Sequence, residues 1–179
     1  MLRVGDFDGV NISSPSLGSQ EFLSVVTRSL EMISQYDRVS YTRVKDQFEW
    51  IMNGACAGGA GSCDCFPKGK SCRIDFTNFG WDDQELVAGY FACLIVRLAT
   101  YSRLYNRGII RNENNYVRHQ RLCHRSYTRF LKIIDKHLPG VYETWHNDFT
   151  VSPPQPLLAR TLKKLRRGFV RLSEIWSHD

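Results

Sequence analysis

The sequence lacks the short motifs that mark the commonest enzyme classes. It contains no Gly-x-Ser-x-Gly nucleophile elbow, no Gly-x-x-x-x-Gly-Lys-Ser/Thr phosphate loop, no Gly-x-Gly-x-x-Gly fingerprint and no His-Glu-x-x-His zinc pair. The glycine-rich run Ala57–Gly61 lacks the lysine and helix that follow a nucleotide-binding loop. Asp135 and His137 have no obvious catalytic partner near them in the sequence. These absences favour a protein that binds over one that catalyses.

The sequence also lacks an export signal and a membrane-spanning run. Residues 1–20 mix Asp, Gly, Ser and Asn without a basic start or an apolar run of signal-peptide length. The most apolar stretch, Leu86–Ala99, contains Arg97 and falls short of the roughly 20 residues that cross a bilayer. We therefore expect a cytoplasmic protein whose six cysteines are reduced or bound to metal, because cytosolic disulfides are uncommon.

The composition fits one folded domain with an acidic partner. The chain has 179 residues, of which 42% are hydrophobic, and this is enough to build a core. Its formal net charge of +6 favours nucleic acid, an anionic surface or an acidic protein face as the partner.

Apolar residues that recur at helical spacing predict an all-α fold, a helical bundle around a central apolar helix. Residues 1–18 are expected to form a mobile N-terminal arm, and residues 19–179 a single helical domain. Within it, residues 53–80 are predicted to be a cysteine-rich loop with room for a short hairpin. The predicted helices cover Ser19–Tyr36, Ser40–Met52, the apolar run Leu86–Ala99 extended from an Asp82 cap to Gly108, residues 113–138, and a basic amphipathic segment over residues 156–177.

Two groups of residues have the chemistry of a metal site. The first comprises four thiols in the glycine-rich loop, which are able to converge on one tetrahedral structural zinc ion, although the usual Cys-x-x-Cys spacing is absent; they are Cys56, Cys63, Cys65 and Cys72. Free thiols or two disulfides remain open as alternatives. The second group is His119, Cys123 and His124, in which positions 119 and 123 share one helix face.

The predicted C-terminal helix concentrates positive charge. Six cations precede its first acid, Glu174, and such a cluster suits contact with phosphate groups or an anionic surface; they are Arg160, Lys163, Lys164, Arg166, Arg167 and Arg171. A solvated helix face explains the same pattern equally well.

The order of the predicted elements resembles the Bcl family of apoptosis regulators, in particular its divergent viral members. Residues 81–97, WDDQELVAGYFACLIVR, look like the central helix of the herpesvirus homologues. Residues 138–149, with Trp145, are similar to the second aromatic motif of the family. The family's Asn-Trp-Gly-Arg signature is absent, and the nearest text is Asn78-Phe79-Gly80-Trp81.

The resemblance implies that a death-promoting amphipathic helix binds in a hydrophobic groove, as in a viral apoptosis inhibitor. The groove would be lined by Val44, Phe48, Met52, Tyr90, Phe91 and Leu94. Each of these residues also fits a plain core position, because apolar helical stripes usually pack inward. The alternative function is a basic nucleic-acid-binding protein that holds a structural zinc ion in its cysteine loop over residues 56–72.

Overall fold

A computed structural model of the chain describes residues 3–15, 19–56, 63–76, 83–109 and 113–145. In these ranges the protein has a mixed α/β fold, so the predicted all-α helical bundle is wrong. Five strands form one sheet in the order β1-β2-β3-β5-β4. They are β1 (Arg3–Phe7), β2 (Val10–Ser14), β3 (Trp50–Asn53), β4 (Cys63–Phe66) and β5 (Ser71–Ile74).

The sheet combines antiparallel hairpins at its edges with parallel pairs at its centre. Strand β1 pairs antiparallel with β2, and β4 pairs antiparallel with β5. Strand β3 lies between β2 and β5 and is parallel to both. Because parallel neighbours need a crossover connection, residues 15–49 carry two helices between β2 and β3.

Five helices accompany the sheet in the described ranges. Helix α1 occupies the predicted segment, and its prediction is confirmed. Helix α2 is ten residues long. Its N-cap is Asp37, whose carboxylate accepts a hydrogen bond from the Ser40 N–H at 3.2 Å. The helices are α1 (Ser19–Tyr36), α2 (Arg38–Gln47), α3 (Gln84–Asn106), α4 (Glu113–Asp135) and α5 (Val141–Trp145).

Two segments differ from the sequence prediction, and a third differs in part, because strand pairing overrides the local pattern. Residues 3–14, predicted to be part of a mobile arm, form the β1-β2 hairpin. The predicted helix Ser40–Met52 ends at Gln47, and its last predicted residues, 50–52, belong instead to the central strand Trp50–Asn53. The cysteine-rich loop contains the hairpin of β4 and β5, which the prediction allowed, but that hairpin also extends the main sheet.

Helix α3 is the central buried rod, as the apolar run Leu86–Ala99 predicted. Its N-cap is Asp83, one residue after the predicted Asp82, and its carboxylate accepts from the N–H groups of Glu85 and Leu86 at 2.9 and 3.1 Å. By length and composition it is the one helix in the described ranges that is able to cross a membrane, and 78% of its most apolar window is buried within the protein. The core helix of a soluble protein has the same properties.

Helix α4 packs on α3 through an apolar face. Its buried residues include Cys123, Tyr127, Phe130 and Ile134, spaced by four, three and four positions. This spacing confirms the stripe that the sequence predicted for the helix. One end of α4 thereby comes close to β4, and the two elements enclose a cleft.

Candidate functional site

A cleft of about 540 Å³ lies between strand β4 and helices α3 and α4. Three of its lining residues are cysteines and one is a histidine. The lining residues are Cys63, Asp64, Cys65, Phe66, Arg97, Leu98, Tyr101, His119, Gln120 and Cys123.

Strand β4 contributes two thiols to the cleft. Cys63 and Cys65 are two positions apart, and side chains at that spacing on a strand point to the same face of the sheet. Cys65 pairs directly with Cys72 of β5, and its Sγ donates weakly to the Leu98 carbonyl at 3.8 Å. The hairpin therefore holds its cysteines against α3.

Helix α4 contributes a histidine and a thiol from the opposite side. His119 and Cys123 are four positions apart, so they lie on one face of the helix about one turn from each other. His119 is only 1% exposed. Neither of its ring nitrogens has a hydrogen-bond partner among the residues that the structure describes. Buried polar groups are normally paired, so this imidazole stands out as a ligand candidate.

The thiols of the cleft are held in their protonated form. Burial raises the pKa of Cys63 to about 12, against a smaller opposing effect of the Arg97 guanidinium. Burial, reinforced by Cys63 and Cys123, raises the pKa of Cys65 to about 12. Burial also raises the pKa of Cys123 to about 11. Because the thiolate is the nucleophile, these cysteines are poor candidates for thiol catalysis.

Two residues from each of the two predicted metal groups line the cleft. Cys63 and Cys65 come from the predicted thiol set, whereas Cys56 and Cys72 do not line the cleft. The Cys56 Sγ lies 3.5 Å from the Gly54 carbonyl and 3.6 Å from the Arg73 carbonyl, and Cys72 is fully buried in the sheet. No three His, Cys, Asp or Glu side chains of the described ranges are already arranged to hold a metal ion.

The second predicted metal group is divided in the same way. His119 and Cys123 face the cleft, but His124 does not line it. The His124 Nε2 lies 3.3 Å from the Thr128 hydroxyl on the same helix. The meeting of β4 with α4 joins positions more than fifty residues apart, which no local spacing reveals.

The residues predicted to line a helix-binding groove lie mostly in the core. Five of the six are at most 5% exposed, and Met52 is partly exposed; the five are Val44, Phe48, Tyr90, Phe91 and Leu94. They pack against one another and the sheet as part of one continuous cluster. A partner helix therefore meets no open groove at these positions in this structure.

A second feature is the basic face of α4. The helix was predicted from the sequence, but this face was not. Three arginines and one lysine of the helix are exposed, and Lys136 continues the row just beyond the helix end; they are Arg121, Arg125, Arg129, Lys132 and Lys136. At 3.6 residues per turn these positions fall within about 80° of the helix circumference, opposite the buried face. Their spacing of four, four, three and four residues is visible in the sequence and is typical of one face of a helix.

A recess of about 480 Å³ between α2 and α3 adds further arginines, namely Arg43, Arg103 and Arg107, with Asp46 as the acid of its lining. Burial lowers the pKa of Arg43, and the charges of Arg103 and Arg129 act in the same direction, against Asp37. The Arg43 Nη1 donates to the Thr100 hydroxyl at 3.0 Å. Its Nε is buried without a hydrogen-bond partner in the described ranges.

The basic C-terminal segment, including Arg160, Lys163, Lys164, Arg166, Arg167 and Arg171, lies outside the described residues. The phosphate contact predicted for it stays a prediction.

Comparison with known proteins gives no relative: no family model matches the chain, and neither a curated protein nor a solved structure is significantly similar to it. The resemblance to the Bcl family therefore stays a prediction, while the bundle fold that it implied is corrected above. Function has to be inferred from the surfaces themselves.

Proposed function

We propose that the protein is a non-enzymatic nucleic-acid-binding protein that contacts the phosphate backbone through the basic face of α4. The observation that carries this proposal is the row of exposed cations at positions 121, 125, 129, 132 and 136. From residue 119 onward the only acid of α4 is Asp135, whose Oδ1 accepts from the Tyr142 N–H at 2.9 Å. The row therefore presents one sign of charge to the solvent.

The dimensions of the row suit a phosphate backbone. At 1.5 Å per residue, the cations from Arg121 to Lys136 extend over about 22 Å. A nucleic-acid strand carries a phosphate every 3.4 Å or so, and each phosphate neutralised by a cation releases a condensed counterion. Arg129 is partly neutralised already, since its Nη2 lies 3.2 Å from the Asp37 carboxylate. The four other cations are not in any ion pair within the described chain.

The arginine recess extends the basic surface. The charges of Arg129 on α4 and of Arg103 both lower the pKa of Arg43 in the recess. The Asp37 carboxylate, which pairs with Arg129, offsets part of this positive charge, and a bound anion would offset more of it. Guanidinium groups also suit phosphate oxygens because they donate in a planar, two-pronged arrangement.

The composition of the surface indicates backbone contact without base reading. The exposed positions of the row are cationic. Two exposed large aromatic residues, Trp50 and Phe66, lie on strands β3 and β4 and not on α4. Stacking on single-stranded bases requires aromatic rings beside the cations. We therefore expect binding to duplexes with little sequence preference.

The test is a fluorescence-anisotropy titration of the full chain with labelled duplex DNA and duplex RNA at several salt concentrations. Four to five phosphate contacts predict a slope of about −4 for log K against log salt concentration. In Arg121→Gln/Arg125→Gln we expect weaker binding to every duplex and a slope shallower by about 2.

The matched control is Lys68→Gln/Lys70→Gln, which removes the same charge from the exposed tip of the β4-β5 hairpin. It should leave the slope nearly unchanged. Equal weakening in both variants would reduce the effect to net charge and remove the proposal. Binding to phosphatidylserine vesicles without binding to either duplex would also overturn it.

A further inference from the structure

Two pairs of side chains of types that bind metals, one on β4 and one on α4, line the same cleft. Cys63 and Cys65 are two positions apart on a strand, and His119 and Cys123 are four positions apart on a helix. Each spacing is the one that places both donors of a pair on the same side of its element. All four residues line the same cleft of about 540 Å³.

The buried imidazole of His119 is the independent observation that points to a ligand. Its exposure is 1%, and neither Nδ1 nor Nε2 has a hydrogen-bond partner within the described ranges. A buried polar group in this condition is expected to meet an ion or a water molecule. Because the ring lines a cleft that already contains three thiols, a metal ion that accepts both nitrogen and sulfur ligands accounts for its position.

The charge balance of the cleft also suits such an ion. A divalent metal bound by three thiolates and one neutral imidazole carries a net charge of −1. The Arg97 guanidinium lines the same cleft and acts electrostatically on both Cys63 and Cys123. It is therefore placed to neutralise that residual charge.

We propose that Cys63, Cys65, His119 and Cys123 bind one structural zinc ion that fastens the β4-β5 hairpin to α4. Zinc is the metal that mixed cysteine and histidine ligands select, with tetrahedral geometry. Four protein ligands leave no open position, so the site serves structure and not catalysis. Binding requires the four side chains to turn into the cleft, and three thiol protons are displaced in the process.

This ligand set differs from the four-thiol set that the sequence suggested. Cys56 makes its sulfur contacts with the carbonyls of Gly54 and Arg73, and Cys72 is fully buried in the sheet. The zinc proposal also stands apart from the proposed function, because nucleic-acid binding is assigned to the opposite face of α4.

The experiment is zinc analysis of the full chain, purified under reducing conditions, together with cobalt titration of the metal-free protein. We expect one zinc ion per chain and a cobalt spectrum with thiolate charge-transfer bands and tetrahedral d–d bands. In His119→Gln and Cys123→Ser the zinc affinity should fall by more than about 100-fold, beyond the loss that an outer-sphere partner causes. The controls Cys56→Ser and His124→Gln should keep full stoichiometry.

A rescue variant protects the test from simple misfolding. His119→Cys should still bind one metal ion, with cobalt bands shifted toward those of a four-thiolate site. Zinc binding that survives His119→Gln but is lost in Cys56→Ser would overturn the proposal in favour of the loop thiols. A wild-type chain that retains no zinc and gives no tetrahedral cobalt spectrum would overturn it outright.

Discussion

Arg129 on helix α4 reaches the buried carboxylate of Asp37, the N-cap of helix α2, with 3.2 Å between its Nη2 and the Asp37 Oδ2. The same carboxylate accepts from the Ser40 N–H at 3.2 Å and from the Ser40 hydroxyl at 2.7 Å. One acid therefore begins a helix and anchors a cation of the basic face. This arrangement links the stability of α2 to the charge that α4 presents.

We expect Asp37→Ala to lower the free energy of unfolding by about 1 to 2 kcal/mol, since the helix loses its cap. Asp37→Asn keeps a capping oxygen and should cost less, because the Arg129 side chain is 57% exposed and solvent weakens its attraction to the carboxylate. Urea denaturation of both variants measures the difference. Equal losses would show that the charge, and not the cap, stabilises this end of α2.

Asp37→Asn should also strengthen duplex binding. Arg129 then becomes available to a phosphate, and the slope of log K against log salt concentration should steepen by about 0.9 for that one extra contact. Anisotropy titrations at several salt concentrations provide the slope. An unchanged slope would mean that Arg129 does not face the nucleic acid.

Leu94 tests whether the predicted groove residues are core residues. The side chain is fully buried, so Leu94→Ala should cost about 2 to 5 kcal/mol through lost burial and a cavity. Val39→Ala is the control, because Val39 is 61% exposed on α2 and a surface change usually stays within about 0.5 kcal/mol. A small loss of unfolding free energy in Leu94→Ala would instead support an open groove at this position.

Gly89 offers a stabilising substitution inside α3. A Cβ atom at this position meets Leu138, Ile134 and Val141 at 3.6 to 3.7 Å, which is ordinary van der Waals contact. Since alanine is the better helix former, Gly89→Ala should raise the free energy of unfolding by about 0.5 to 1 kcal/mol. Thermal denaturation followed by circular dichroism measures the gain. A lower midpoint would show that α3 and α4 pack more tightly here than the structure indicates.

The raised thiol pKa values predict alkaline sensitivity in the metal-free protein. Folding raises the pKa of Cys63 and Cys65 from 9.0 to about 12, so between these values the unfolded chain has lost thiol protons that the folded chain still holds. The stability from these thiols is fully present below pH 9 and is lost as the pH rises toward 12. Urea midpoints at pH 8, 9 and 10 should fall progressively. Cys63→Ser/Cys65→Ser should fall less steeply over the same range.

The helices were largely readable from the sequence because their signals are local. The apolar spacing over Ser19–Tyr36 and the run Leu86–Ala99 each predicted a helix that the structure contains. Apart from the hairpin allowed for residues 53–80, the sheet was not predicted, since its strands are only four or five residues long and cannot establish a clear alternation. Ile51 illustrates the ambiguity: it continues the helical spacing of Val44 and Phe48, yet it pairs with Ile12 and Cys72 in the sheet.

The candidate sites were partly readable for the same reason. The sequence placed Cys63 and Cys65 in one predicted metal group, as thiols in a short loop. It placed His119 and Cys123 in another, as neighbours on a helix face. That the two pairs meet depends on how the β4-β5 hairpin packs, which local spacing does not encode. The basic row of α4 was fully local and was obscured by the denser charge of the segment after residue 156.

The central position of β3 also sets an order for assembly. Residues 3–14 leave the ribosome before residues 50–53, yet β2 gains its second neighbour only when β3 has emerged. A two-stranded hairpin is at best marginally stable alone in water. The β1-β2 hairpin therefore gains its remaining strand neighbour only after residues 50–53 are synthesised, and a nascent chain arrested before residue 50 should leave the open edge of β2 to chaperones and proteases.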